Sequence, residues 1–206
     1  MEKTASAEKR GTYHHGDLRA QLIEATRVLV EEKGPDHFSV SEACRRAGVS
    51  SAAPYKHFKD KEEMLHAVAV EGMQRQRSDL IAELEEYPAR TLDRVIAMGR
   101  VYVRFAVEEP GVFRLMFGLS ENHGAHDHLI ETGNNTFTLV QQEVAGYRGS
   151  EEVAGEDMHK AFLLWSFVHG LAFLTIDGKL AEKKLDVDLE QVLREVALRV
   201  MEPLPG

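Results

Sequence analysis

The chain has 206 residues, of which 43% are hydrophobic and 29% charged, and its formal net charge is −9. That balance suits an ordinary globular protein of one large or two small domains and excludes the disordered and fibrous classes. The single cysteine, Cys44, excludes an internal disulfide framework and a cysteine-rich zinc site; it reads as a small buried apolar side chain in a reducing cytoplasm.

The opening MEKTASAEKR is charged and lacks an apolar core, so residues 1–11 read as a flexible arm rather than a signal peptide, and the expected compartment is the cytoplasm. From Asp17 to Lys33, Leu18, Leu22, Ala25 and Leu29 recur at helical spacing until Gly34-Pro35 stops the run. Ser39-Val40-Ser41-Glu42 is a capping box that starts a second helix to Ala47. Gly48 allows a tight turn, and Ser50 caps a third short helix expected to end near Phe58, with Pro54 at the margin of its first turn. Asp60 to Glu63 repeats the capping pattern and opens a fourth helix with Met64, Leu65 and Val68 inward. Beyond Tyr87-Pro88 longer helices are expected over 91–107, 113–119, 129–146, 155–177 and 188–201. The prediction is an all-α chain of about nine helices. Residues 12–70 would form a helix-turn-helix head and 71–206 a helical body.

Charge is divided between these parts. Through Lys61 there are eleven basic and nine acidic residues, and beyond it fourteen basic and 25 acidic, so a mildly basic head joins an acidic body. Two short helices joined by Ala47-Gly48-Val49-Ser50 have the spacing of a DNA-reading motif. Ser51 and Ala52 are small enough for close approach to base edges, Tyr55 and His57 can donate to phosphate, and Lys56 supplies charge. The same spacing also fits a small helical hairpin with a solvated basic face.

The stretch FSVSEACRRAGVSSAAPYKHFKDKEEML resembles the DNA-binding domain of TetR-type transcriptional regulators, with Ala43, the Ala47–Ser50 turn, Tyr55, Phe58 and Lys61 on the family pattern. The upstream YHHGDLRAQLIEAT, together with Trp165, His169 and Gly170 in WSFVHG, is similar to a branch whose C-terminal domain carries a Trp-His-Gly signature. The resemblance implies phosphate contacts from Ser39, Tyr55, His57 and Lys61, and groove-facing roles for Ser51, Ala52 and Lys56 beside the Ser50 cap. Two positions depart from the pattern: Pro54 replaces an aliphatic residue and Cys44 an alanine. The resemblance further implies a homodimer built on the last two long helices, a double-stranded palindromic operator as partner, and a small-molecule effector.

In the body, the helix at 155–177 is apolar all round and is expected to face its own core on one side and a partner on the other. Its apolar run from Ala161 to Ile176 falls short of the roughly 20 residues of a membrane span, so no membrane role is expected. Gly170 within it suggests close helix approach. Tyr102, Phe105, Phe113, Met116 and Phe117 flank a Pro-Gly break and, with Trp165 and His169, could line an apolar effector pocket; the same stripe also fits plain core. His169 can equally be a hydrogen-bonded core histidine. His123, His126 and His128 with Asp127 could hold a transition metal, although loop histidines rarely do, and no metal or other cofactor is expected. No nucleophile elbow, phosphate loop or paired-carboxylate motif supports an enzyme. The leading expectation is a ligand-released repressor, and the alternative is an architectural or partner-regulated DNA-binding protein.

Overall fold

The computed structural model describes residues 18–119 and 126–202, and all regular structure among them is helical. The expected N-terminal arm, His14 and His15 beyond it, and His123 of the histidine loop lie outside the described residues. Three helices build the head: α1 (Leu18–Lys33), α2 (Val40–Ala47) and the first turns of α3 (Lys61–Glu85). The body continues with α4 (Leu92–Glu108), α5 (Pro110–Gly118), α6 (His126–Tyr147), α7 (Gly155–Ile176), the single turn α8 (Lys179–Glu182) and α9 (Leu189–Met201).

Local chemistry sets most of the boundaries. At α2 the Ser39 hydroxyl accepts from the Glu42 amide at 3.2 Å, while the Glu42 carboxylate accepts from the Ser39 amide at 3.1 Å. Asp60 caps α3 through the Glu63 amide at 2.9 Å, and Asp188 caps α9 through the Gln191 amide at 3.1 Å. Gly48, at φ +69°, ends α2 in the left-handed conformation that turns the chain toward Val49. Pro110 opens α5 at a position where its missing N–H leaves no helical bond unmade.

The head and body share one apolar core. Leu22, Ile23 and Val30 of α1, Phe58, and Met64 and Val68 of α3 join Phe105 of α4 and Val112 and Phe113 of α5 in a continuous buried cluster. The expected boundary near residue 70 therefore falls inside the continuous helix α3. Cys44 is buried, and that burial pushes its thiol pKa up, away from reactivity. A second cluster, including Ile96, Val101, Leu171 and Leu193, fills the space among α3, α4, α7 and α9. Charged side chains stitch its rim. Arg94 holds Glu143 of α6 in a bidentate pair at 2.6 and 2.8 Å and donates to the Leu84 carbonyl at 2.7 Å. Burial alone would raise the Glu83 pKa, but hydrogen bonds from Arg104 and Arg100 outweigh it and hold the carboxyl below its ordinary value. Buried Lys160 of α7 reaches the end of α9, donating to the Val200 and Glu202 carbonyls at 2.6 and 3.0 Å.

The length expected for α7 needs correction. The helix is 22 residues long and apolar enough, by length and composition, to cross a membrane, and most of its apolar stretch is uncovered within the chain. Phe162, Leu163 and Leu174 are exposed, so the intrachain core covers only one face. Gly170 lies on the exposed side, and a Cβ placed there would meet nothing within 4 Å among the described residues.

Candidate functional site

The expected third helix from Ser50 is instead a turn followed by a single 3-10 turn, Pro54–Lys56. The cause is Pro54. An α-helix capped at Ser50 needs the residue-54 amide to donate to the Ser50 carbonyl, and proline has no N–H to give. The Ser50 carbonyl instead accepts from Ala53 at 3.0 Å, the Ala53 carbonyl from Lys56 at 3.3 Å, and the Pro54 carbonyl from His57 and Phe58, each at 2.8 Å. Ser50 is therefore not the N-cap; Ala53 takes that place, without a side-chain bond. Pro54 and Phe58 face the core, which leaves Tyr55 65% exposed and Lys56 exposed beside it.

Ser39, Ser50, Ser51 and Ala52 are also exposed, whereas His57 and Lys61 are half-buried. The Ser39 hydroxyl is already engaged by Glu42. Lys61 donates to the Asp36 carbonyl at 3.3 Å, and its ammonium lies 4.7 Å from the Phe38 ring centroid, so it ties the α1–α2 loop to α3. The other head cations differ in their availability. Arg46 pairs bidentately with Glu32, and Lys33 pairs with Glu42 at 2.5 Å, whereas Lys56 and Lys59 at the turn, like Arg19 and Lys61, make no ion pair among the described residues.

In the body, a cavity of about 220 Å³ opens between α3, α4, α6 and α7. Of the expected pocket residues, Tyr102, Phe117 and Trp165 line it. Phe105, Phe113 and Met116 do not; they are buried in the shared core, Phe113 being completely enclosed. His169 stands behind the wall, its Nδ1 2.8 Å from the Tyr102 hydroxyl, and that hydroxyl accepts from the Trp165 indole N–H at 3.3 Å. Burial pushes the Tyr102 pKa up and the His169 pKa down, so both side chains are neutral near pH 7. The remaining wall was not foreseen: Met73, Gln76 and Leu80 come from α3, Met98 and Val101 from α4, and Phe137 and Val140 from α6. One sequence signal was available, because Gly133-Asn134-Asn135 places poor helix formers in the middle of α6 at this wall.

The cavity wall connects directly to the head. Phe117 packs on Phe113 with ring centroids 5.1 Å apart, both on α5. At the start of that helix the Gly111 and Val112 amides donate to the Glu31 carboxylate of α1 at 2.9 and 2.8 Å. A Cβ at Gly111 would lie 2.8 Å from the Val30 carbonyl oxygen, so only glycine allows α1 and α5 to approach this closely. Arg75 of α3 closes the joint by gripping Glu109 at 2.6 and 3.0 Å.

The histidine loop offers less. The His126 side chain lies outside the described residues, and His128 is exposed with Nδ1 3.6 Å from Glu131.

Comparison with known proteins agrees with this architecture. Residues 22–68 match the family model for bacterial regulatory proteins of the tetR family, and residues 95–200 match the tetracyclin repressor-like C-terminal domain. A solved protein of unknown function from Rhodococcus sp. RHA1 is 30% identical, with a TM-score of 0.78 over 93% of this chain and 97% of that one. A transcriptional regulator of the TetR/AcrR family from Thermobifida fusca has the same fold at 17% identity, with a TM-score of 0.64 over 92% of this chain and 100% of that one. The nucleoid occlusion factor SlmA of Idiomarina loihiensis is 27% identical over 128 residues, 61% of this chain and 63% of that relative, so the match spans under two thirds of the relative's length. With a matching reading head and a matching body that together take in most of its length, the chain belongs to the TetR family of bacterial regulatory proteins, which are regulators and not enzymes.

Proposed function

We propose that the protein is a cytoplasmic, ligand-released transcriptional repressor that binds a palindromic double-stranded operator as a homodimer. The surface from Ser50 to His57 would enter the major groove, with Ser51, Ala52 and Lys56 toward the bases and Ser39, Tyr55, His57 and Lys61 toward phosphates. The uncovered apolar face of α7, with exposed Leu198 of α9, would meet the same surface of a second copy. Ligand release is supported by one observation above all. The cavity wall residue Phe117 belongs to α5, whose opening amides are held by Glu31 of the head, so a ligand that moves α5 also moves the reading surface. Only a ligand that favours the displaced arrangement can weaken DNA binding.

Fluorescence anisotropy on DNA from upstream of the protein's own gene, against a scrambled duplex across a salt series, tests the reading. Selective binding is expected, with Lys61→Ala weakening all sequences alike and flattening the salt slope by about one unit, and Lys56→Ala altering sequence preference instead. Equal weak binding to both duplexes would oppose an operator there. It would favour the architectural alternative, which draws its support from the similarity to the nucleoid occlusion factor.

A further inference from the structure

The helices α3 and α6, which supply Leu80 and Phe137 to the apolar cavity, also enclose a second and different space along their outer seam. This open cleft of about 420 Å³ is lined by Arg77, Thr132, Asn135, Thr138, Leu139 and Gln142. Among the described residues its lining holds one charged side chain, Arg77, and no carboxylate.

Arg77 stands apart from the other arginines. Arg46, Arg75, Arg94, Arg100 and Arg148 grip carboxylates, and Arg19 lies over the Phe58 ring. Arg77 makes no ion pair, hydrogen bond or ring contact among the described residues, although the chain carries a net charge of −9. The residue is half-buried and its Nε is enclosed without a partner. That enclosed nitrogen is not the contact; it fixes the plane of the guanidinium and leaves the two terminal nitrogens as the edge that meets the cleft. Two parallel N–H donors on a held plane match a carboxylate or a phosphate, and an oxyanion there supplies the counter-charge that the chain does not.

The facing stripe of α6 is built from neutral polar groups. Asn135, Thr138 and Gln142 are exposed at i, i+3 and i+7, on one side of the helix. The Thr138 hydroxyl donates to the Asn134 carbonyl at 2.9 Å, whereas the Asn135 and Gln142 amides make no bond among the described residues and remain available as donors. An acidic chain repels anions at long range, so this edge suits a small anion held by direct contact better than an extended polyanion.

We propose that the α3–α6 cleft binds a small oxyanion, a carboxylate or a phosphate, bidentately on the terminal nitrogens of Arg77, with the Asn135 amide as a further donor. Such an anion ties together from outside two helices that wall the apolar cavity.

NMR of the full chain labelled with ¹⁵N-arginine tests it. The enclosed Nε–H exchanges slowly with water, so Arg77 should give a side-chain signal, assigned by its loss in Arg77→Lys, which keeps the charge and removes the fork. Sodium acetate and sodium phosphate, each replacing sodium chloride in steps at fixed ionic strength, are the probes. At least one should move the Arg77 signal saturably in the millimolar range while the signals of paired arginines move little. Saturation by acetate alone would identify a carboxylate site, by phosphate alone a phosphate site, and by both a general oxyanion site. Asn135→Ala, a change on an exposed helix face, should raise the midpoint about fivefold, as the loss of one hydrogen bond to a charged group allows. Absence of an Arg77 signal, saturation by neither probe, or a midpoint indifferent to Asn135→Ala would each overturn the site.

Discussion

Glu31 holds the head to the body, and its removal has a calculable cost. Glu31→Ala deletes two charge-assisted bonds, 2.9 and 2.8 Å long, to the first amides of α5. In a part-buried site water can partly replace the carboxylate, so each amide loses about 1 kcal/mol rather than the full value for a charged partner. The anion at a helix N-terminus adds about 0.3–1 kcal/mol. The expected loss is roughly 2–3 kcal/mol, or about 4–12 °C in Tm for a chain of this size. The assay is urea and thermal unfolding at fixed protomer concentration, since dimerisation would otherwise shift the midpoint. Glu32→Ala is the control: its neighbouring carboxylate makes only an exposed pair with Arg46, worth under about 1 kcal/mol. Glu31→Ala should also blunt the fall in operator affinity that an effector causes. Equal small losses from both variants, with effector response intact, would refute the idea that Glu31 joins the head to α5.

Further outcomes follow from the same contacts. Pro54→Ala restores an N–H below the Ser50 carbonyl and should lengthen the 3-10 turn into an α-helix, raising helical circular dichroism and changing operator sequence preference; an unchanged preference would show that the turn geometry does not set base contacts. Burial holds His169 below the ordinary imidazole value of 6.5, so as pH falls below that value the unfolded chain gains a proton that the folded one refuses. Stability should therefore decline from about pH 7 downward until the folded-state pKa is passed, and His169→Gln should flatten the decline; parallel urea-midpoint profiles for the two proteins would contradict this. A double Leu163→Glu, Leu174→Glu variant puts charge on the uncovered face of α7 and should yield monomers in sedimentation; an unchanged dimer would place the interface elsewhere.

Much of the helical order was legible because it is written locally. Ser39 with Glu42, Asp60 with Glu63, and Gly34-Pro35 mark helix ends within a few residues of sequence, and the structure places caps or stops at each. The reading turn was missed for an equally local reason, since placing Pro54 at the margin of a first turn overlooked the one helical bond that its missing N–H prevents. The cavity was legible only in part. Tyr102, Phe117 and Trp165 stand out as aromatic, but Gln76 and Phe137 meet across about sixty residues of chain, and nothing local announces a wall assembled by tertiary packing. The stripe through Phe105, Phe113 and Met116 looked the same in sequence as the wall; only tertiary packing buries these three in the core while Phe117, on the same helix as two of them, faces the cavity. Gly170 suggested close helix approach, and among the described residues no atom lies within 4 Å of a Cβ placed there, so the chain's own helices do not supply it.

The central claim is that a dimer reads a palindrome through the 50–57 surface, and selection of bound fragments from a genomic library by the purified protein tests it most directly. The account predicts one enriched motif with two inverted half-sites about 10 bp apart, centre to centre, and loss of that enrichment when Tyr55 and Lys56 are both changed to alanine. No enriched motif, or the same motif recovered by the double variant, would contradict it.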